Sequence, residues 1–142
     1  MPVFHWSKED FVFEVPVAFK GGILDGDMVI EQEDTGNWYY RKWASGIAEC
    51  WGMFTKELTA SDWTEWFTLY QAEIVMSADY PIEFVGSAKE TATLYSTCGG
   101  WLNAVALGMT NKTTGAYFLT RPNALTSNYT AFLNIYVVGK WK

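Results

Sequence analysis

Residues Gly36–Gly52 read GNWYYRKWASGIAECWG, and this stretch decides the fold of the chain. Its pattern predicts a strand over residues 38–43, a turn over residues 44–46, and a second strand over residues 47–54. Gly46 can adopt the positive φ that a three-residue hairpin loop needs. Because aromatic pairs across neighbouring strands stabilise a sheet, the stretch indicates an aromatic β-hairpin.

Short runs of alternating apolar and polar residues continue along the rest of the chain. We predict further strands over residues 11–19, 28–32, 91–97, 101–109, 116–120 and 132–138, with loops over residues 56–64 and 123–129. Residues 66–77 also fit one face of a helix, but the β-branched pair Ile74-Val75 favours a strand. Short strands between frequent turns are typical of an antiparallel sandwich or barrel, so the chain is predicted to be all-β.

The composition combines many aromatic residues with few charges. Aromatic residues make up 18% of the 142 residues and charged residues also make up 18%, below the usual level of about 25%. A chain of this length is expected to form one main domain. Its surplus of apolar area fits either a subunit interface or a ligand platform, or else a core rich in tryptophan.

The net charge of −6 argues against binding to nucleic acid or to an anionic membrane surface. No apolar run has the length of a membrane-spanning helix, so we expect no membrane insertion. The acidic residues between Asp25 and Asp34 lack the ligand pattern of a calcium loop and are interpreted as a solvated turn face rather than a metal site. The two cysteines, Cys50 and Cys98, are expected to be buried free thiols.

The residues that could support catalysis form no recognisable motif. The chain has one histidine, His5, and no nucleophile motif accompanies it. Two carboxylate pairs, Asp62 with Glu65 and Glu73 with Asp79, could in principle hydrolyse a glycosidic bond, but any acidic chain offers such pairs. We therefore expect a protein that is not an enzyme and that needs no cofactor.

The hairpin over residues 38–52 resembles the W-x-Y-R-K-W-x-S-G-I-A-E-C-W-G signature found near the C-terminal end of many bacteriophage tail-fibre and minor structural proteins. Shorter similarities cover residues 61–63, 80–84, 117–122 and 135–142, although Lys140 stands where the family usually has arginine. The resemblance implies an antiparallel β-sandwich, jelly-roll-like head domain over residues 27–142, preceded by a neck over residues 1–26.

The resemblance also implies a role in the virion. The head would form a homotrimer, bind a host-surface glycan or envelope receptor, and join other virion proteins through the neck. It would be made in the host cytoplasm and lie at the virion surface. A structural virion protein, such as a capsid decoration or head fibre, is the alternative, and a glycan hydrolase is the reading that the residues favour least.

Candidate ligand residues lie in the predicted loops, where side chains are free of core packing. Aromatic rings can stack on sugars, and amide or guanidinium groups can hold hydroxyls. The candidates chosen on these grounds are Trp101, Asn103, Asn111, Arg121, Asn123 and Tyr129. Core packing is the favoured alternative for Trp101, and a structural ion pair or carbonyl contact is the alternative for Arg121. Trp38, Tyr40 and Trp51 are assigned to core or trimer packing.

Overall fold

The computed structural model describes residues 4–6, 11–13, 27–96, 98–105 and 111–142, and over these ranges the chain is all-β. The strands are β1 (Phe4–Trp6), β2 (Phe11–Phe13), β3 (Val29–Asp34), β4 (Trp38–Trp43), β5 (Ile47–Leu58), β6 (Trp63–Trp66), β7 (Leu69–Met76), β8 (Lys89–Ser96), β9 (Trp101–Val105), β10 (Ala116–Arg121) and β11 (Tyr129–Lys140). A single 3-10 turn, Ala60–Asp62, joins β5 to β6.

Two antiparallel sheets form the main body. One has five strands in the order β3-β4-β5-β11-β8, and the other has four in the order β6-β7-β10-β9. The chain passes between the two sheets after β5, β7, β8 and β10. Buried side chains from both sheets form one hydrophobic cluster, so the architecture is sandwich-like and the all-β prediction is confirmed.

The pairing of β5 with β11 forms the centre of the five-stranded sheet. It is continuous over twelve residue pairs, from Tyr129 opposite Leu58 to Lys140 opposite Ile47. Along β11 the alternate residues face the other sheet and are buried; these are Ala131, Leu133, Ile135 and Val137. Burying such a row contributes about 1.5–3 kcal/mol for each large side chain, which makes this pair the main source of stability.

The aromatic hairpin is confirmed, with β4 and β5 joined by the turn at residues 44–46. Gly46 has a φ of +96°, as expected for this loop. On the inner face Trp38 lies over Gly52, where an added Cβ would come within 2.7 Å of the indole. The indole also meets Phe54 and Tyr80 edge-on, with ring centroids 5.4 and 5.9 Å apart. Gly52 is therefore required by the buried tryptophan rather than by backbone conformation.

A carboxylate ties the two sheets together. Glu90, on the inner side of β8, accepts hydrogen bonds from the hydroxyls of Tyr80 and Tyr117 and from the backbone nitrogen of Gly115, the last at 3.2 Å. Tyr117 belongs to the opposite sheet, and Tyr80 belongs to the segment between β7 and β8. Hydrogen bonds to a charged group are worth roughly 1.5–3 kcal/mol each, so this cluster fixes the spacing of the sheets at that point.

Several predicted boundaries need correction. Residues 56–64 were expected to form a loop, but β5 continues to Leu58 and β6 begins at Trp63. The prediction underestimated the length of strands that carry charged residues on their solvent-facing side. Residues 66–77 do form a strand from Leu69, preceded by a turn in which Phe67 has a φ of +57°. In the predicted neck, β1 pairs with β2, while residues 14–26 lie outside the described residues.

Both cysteines are free thiols, but only one matches the prediction of burial. Cys50 is buried in the core, and this burial, followed by the charge of Glu90, raises its pKa to about 12. Cys98 is half-buried in the turn before β9, where its sulfur lies 2.9 Å from the Ser96 hydroxyl.

Replacing Trp38 with alanine should destabilise the fold. Its side chain is 6% exposed, so the loss of a buried indole and the cavity left behind should lower the free energy of unfolding by about 3–5 kcal/mol. Urea denaturation followed by circular dichroism measures this change. Tyr95→Ala is the matched control, because that aromatic ring is 64% exposed and its removal should have little effect. Equal losses for the two variants would contradict the assignment of Trp38 to the core.

The ionisation of Tyr80, Tyr117 and Tyr136 should be delayed until the protein unfolds in alkali. The hydrogen bond to Glu49 raises the pKa of Tyr136 to about 12, and burial with the Glu90 hydrogen bond raises the pKa of Tyr80 and Tyr117. A raised pKa means that the folded state holds these protons more tightly than the unfolded state. The stability they contribute is therefore complete below the ordinary pKa of 10.0 and is lost as the pH rises toward 12.

Tyrosinate absorbance and circular dichroism, recorded together against pH, test this expectation. The late tyrosine transition should coincide with unfolding, and Tyr136→Phe should remove one late-titrating group. Complete ionisation of all tyrosines in a protein that is still folded would contradict it.

Candidate functional site

A concave surface lies on the outer face of the five-stranded sheet. It encloses about 400 Å³, within the range typical of small-ligand sites. We call it the outer groove; it is lined by Asp34, Gly36, Asn37, Trp38, Tyr39, Trp51, Gly52, Met53, Thr91, Thr93, Asn134, Ile135 and Tyr136. The hairpin between β3 and β4 forms one wall, because its tip ends beside the middle of β5.

A row of three aromatic rings forms the floor of the groove. Tyr39 on β4 is opposite Trp51 on β5, and Trp51 is opposite Tyr136 on β11. The ring centroids are 5.5 Å apart in the first pair and 5.6 Å apart in the second. Tyr39 is 38% exposed, while Trp51 and Tyr136 are half-buried. The register of three neighbouring strands thus places three rings in a row, with neighbouring ring planes tilted by 41° and 49°, and we call this row the aromatic platform.

Charged groups beside the platform hold its rings in place. Arg41 lies over Trp51, with its guanidinium carbon 4.7 Å from the ring centroid. It also forms an ion pair with Glu49 at 3.1 Å. The Tyr136 hydroxyl donates to the same Glu49 carboxylate at 2.6 Å. Two of the three rings are therefore positioned by one ion pair, which lowers the entropy cost of ordering them around a ligand.

Polar side chains border the platform on the side of β8. Thr91 is opposite Tyr136, and Thr93 is opposite Asn134. All of the hydroxyl and amide groups of Thr91, Thr93 and Asn134 belong to exposed residues. The arrangement combines exposed aromatic rings with groups that both donate and accept hydrogen bonds, which is what recognition of a polyhydroxylated ring requires.

The sequence-predicted ligand residues divide between the two ends of the sandwich. Trp101 and Arg121 lie at the same end of neighbouring strands, since Trp101 is opposite Thr120. The loop that carries exposed Asn123 runs from there to Tyr129 at the start of β11. Trp101 is 47% exposed, so the favoured alternative of core packing is wrong for this residue.

The other predicted residues occupy different surroundings. Asn111 donates to the Phe84 carbonyl at 2.9 Å and to Glu83 at 3.3 Å, so its amide anchors the segment between β7 and β8. Through that segment it lies near Lys140 and the β4–β5 turn, at the opposite end from Trp101. Asn103 lines a small apolar depression on the outer face of the four-stranded sheet. The structure does not bring the six predicted residues together.

The remaining predicted candidate, Arg121, is packed rather than free. Its Cγ lies 2.7 Å from the position that a Cβ on Gly100 would take. Its Nη1 is buried without a hydrogen-bond partner. Tyr129 is half-buried and pairs with Leu58. Asn123 is therefore the most accessible polar member of this group.

Sequence reasoning assigned Trp51 to core or trimer packing, whereas the structure places it on the outer face. A signal for this position was present in the sequence. Trp38 and Cys50 face inward, so the two-residue period of strands directs Trp51 outward. The same period exposes Thr91 and Thr93, which sequence analysis did not single out.

Of the four carboxylates considered for hydrolysis, Asp62 has a structural role. Asp62 accepts hydrogen bonds from the Thr59 nitrogen at 2.6 Å and the Thr59 hydroxyl at 2.9 Å, which hold the pKa of its carboxyl below the ordinary value. On β3, Glu31 and Glu33 accept from the Tyr40 hydroxyl. Across the described ranges, no group of three acidic, histidine or cysteine side chains could hold a metal ion. Within the same ranges, no helix is long and apolar enough to cross a membrane.

Comparison with known proteins gave no match, whether to a family model, to a curated protein or to a solved structure.

Proposed function

We propose that this protein is a non-enzymatic receptor-binding head domain of a bacteriophage tail fibre, and that it binds a saccharide of the host surface. The observation that carries the proposal is the aromatic row of Tyr39, Trp51 and Tyr136 beside exposed threonine and asparagine side chains. The hairpin signature supports the assignment to a tail fibre. The domain acts at the virion surface, after synthesis in the host cytoplasm, and the segment before residue 27 connects it to other virion proteins.

The finer architecture belongs to the same proposal. Four passages of the chain between the two sheets support a jelly-roll-like path. A homotrimer is supported by a second exposed surface, the outer face of the four-stranded sheet. Trp66, Met76, Trp101 and Val105 are 44%, 48%, 47% and 40% exposed there. A contiguous apolar face of this kind is typical of a subunit contact.

Loss of the aromatic platform should abolish saccharide binding. Trp51→Ala removes the central ring, and Asn134→Ala removes an exposed amide from the border of the groove without disturbing the core. We expect Trp51→Ala and Asn134→Ala each to reduce affinity about fivefold or more, since stacking and side-chain hydrogen bonds each contribute about 1 kcal/mol or more. Binding is measured by saturation-transfer NMR against a panel of soluble oligosaccharides, with circular dichroism as the folding check.

Asn123→Ala and Tyr129→Ala are the matched comparison, because they alter the loop end predicted from sequence. If these two variants lose binding while Trp51→Ala and Asn134→Ala retain it, the ligand lies at the loop end and the groove is not the site. If the parent protein binds no saccharide at millimolar concentration, the glycan-binding function is wrong.

The trimer should be visible in solution. Three chains of 16.1 kDa give a species of about 48 kDa by light scattering at micromolar concentration. Trp66→Lys places a charge on the apolar face and should shift the mass toward 16.1 kDa without loss of secondary structure. Thr55→Lys, on the outer face of the other sheet, is the control. A parent protein that is monomeric would contradict the trimer.

A structural virion protein is the second candidate function. The exposed apolar side chains on the outer face of the four-stranded sheet favour it, because they fit assembly with other protein subunits. A protein that assembles but binds no saccharide would support this candidate.

A further inference from the structure

We infer that the outer groove takes an uncharged oligosaccharide and that Asp34 is the residue that selects against anionic sugars. The inference rests on the proposed function and adds the chemical class of the ligand. It follows from the charges, the hydrogen-bonding groups and the length of the groove.

The charges of the groove disfavour an anion. Among the described residues that line it, Asp34 is the only charged one. Its carboxylate accepts from the Gly36 nitrogen at 2.9 Å, which fixes it at the tip of the β3–β4 hairpin. A carboxylate at the entrance repels a carboxylated, sulfated or phosphorylated sugar, and it can accept hydrogen bonds from neutral hydroxyls.

The cations nearest to the groove do not offset Asp34. Arg41 is paired with Glu49 at 3.1 Å and stacked on Trp51, so its positive charge is already neutralised. Lys89 lies on the same face of β8 but is opposite Val138, two residue pairs beyond the aromatic row, and does not line the groove. The net charge of −6 adds to the repulsion at low ionic strength.

The hydrogen-bonding groups match hydroxyls rather than a fixed charge. Asn37, Thr91, Thr93 and Asn134 each carry an uncharged group that can both donate and accept. Recognition of an anionic group instead uses arginine or lysine donors, which this set lacks.

The length of the aromatic row indicates more than one sugar ring. Three centroids are spaced 5.5 and 5.6 Å apart across three strands, so two neighbouring rings of a chain can each lie on an aromatic surface. The polar border runs beside the row, through Thr91 and then Thr93 and Asn134. A chain of sugars can therefore contact both at once.

Matched oligosaccharide pairs test the ligand class. Each pair consists of a neutral oligosaccharide and the same chain with a carboxylate on each ring, such as galactotriose and trigalacturonic acid, and further pairs carry sulfate or phosphate. Affinities are measured by saturation-transfer NMR and calorimetry at low and high salt. Two like unit charges about 4 Å apart in water repel each other by about 1 kcal/mol. We therefore expect each anionic member to bind about fivefold more weakly than its neutral partner at low salt. Asp34→Asn should reduce the difference in affinity between the neutral and the anionic member of each pair, and so should high salt.

Glu65→Gln is the matched control, since Glu65 is an exposed carboxylate of β6 on the other sheet. Its replacement should leave the ratio of neutral to anionic affinity unchanged. If anionic members bind as tightly as their neutral partners, and Trp51→Ala still abolishes binding, the inference about ligand class is wrong while the proposed function stands. If no member binds the parent protein, both proposals fail. If the parent binds and Trp51→Ala leaves binding intact, the groove is not the saccharide site and only the inference about the groove fails.

Discussion

The two-residue period of the paired strands β5 and β11 is the constraint on which the rest of the structure depends. Because their twelve-residue pairing has no shift in register, every residue is committed to one face. The row through Leu133 and Ile135 builds the core, and the row through Trp51 and Tyr136 builds the aromatic platform. A slip of one residue would exchange the two faces, so the core that stabilises the fold also determines the position of the groove.

The two sheets meet through small as well as large side chains. Gly52 leaves room for the Trp38 indole, and Ala48 and Cys50 continue a narrow row along β5. Glu90 adds a directed contact, because it receives hydrogen bonds from Tyr80 and from Tyr117 across the sheets. Hydrophobic burial has no preferred direction, whereas a carboxylate with three donors fixes one spacing. The hydrogen bonds to Glu90 therefore specify how the apolar faces of the two sheets align.

The outer groove depends on the same strands but differs from the core in its chemistry. Its rings are held by the ion pair of Arg41 with Glu49, and its border is uncharged apart from Asp34. On the outer face of the opposite sheet, the large apolar side chains of Trp66, Met76, Trp101 and Val105 are exposed. One sheet thus presents a surface suited to a hydrated ligand, and the other presents a surface suited to protein contact.

The sequence alone predicts the all-β class and the hairpin over residues 38–54, because local alternation and turn residues contain that information, and it assigns Trp38 to core or trimer packing without deciding between them. It could not determine which predicted strands pair, since pairing joins residues far apart, such as Trp51 and Tyr136. Only the tertiary structure decided that Asn111 anchors a connecting segment and that Tyr39, Trp51 and Thr91 share one groove. A strand pattern tells which residues share a face, but the order of strands in the sheet decides which of those faces are neighbours.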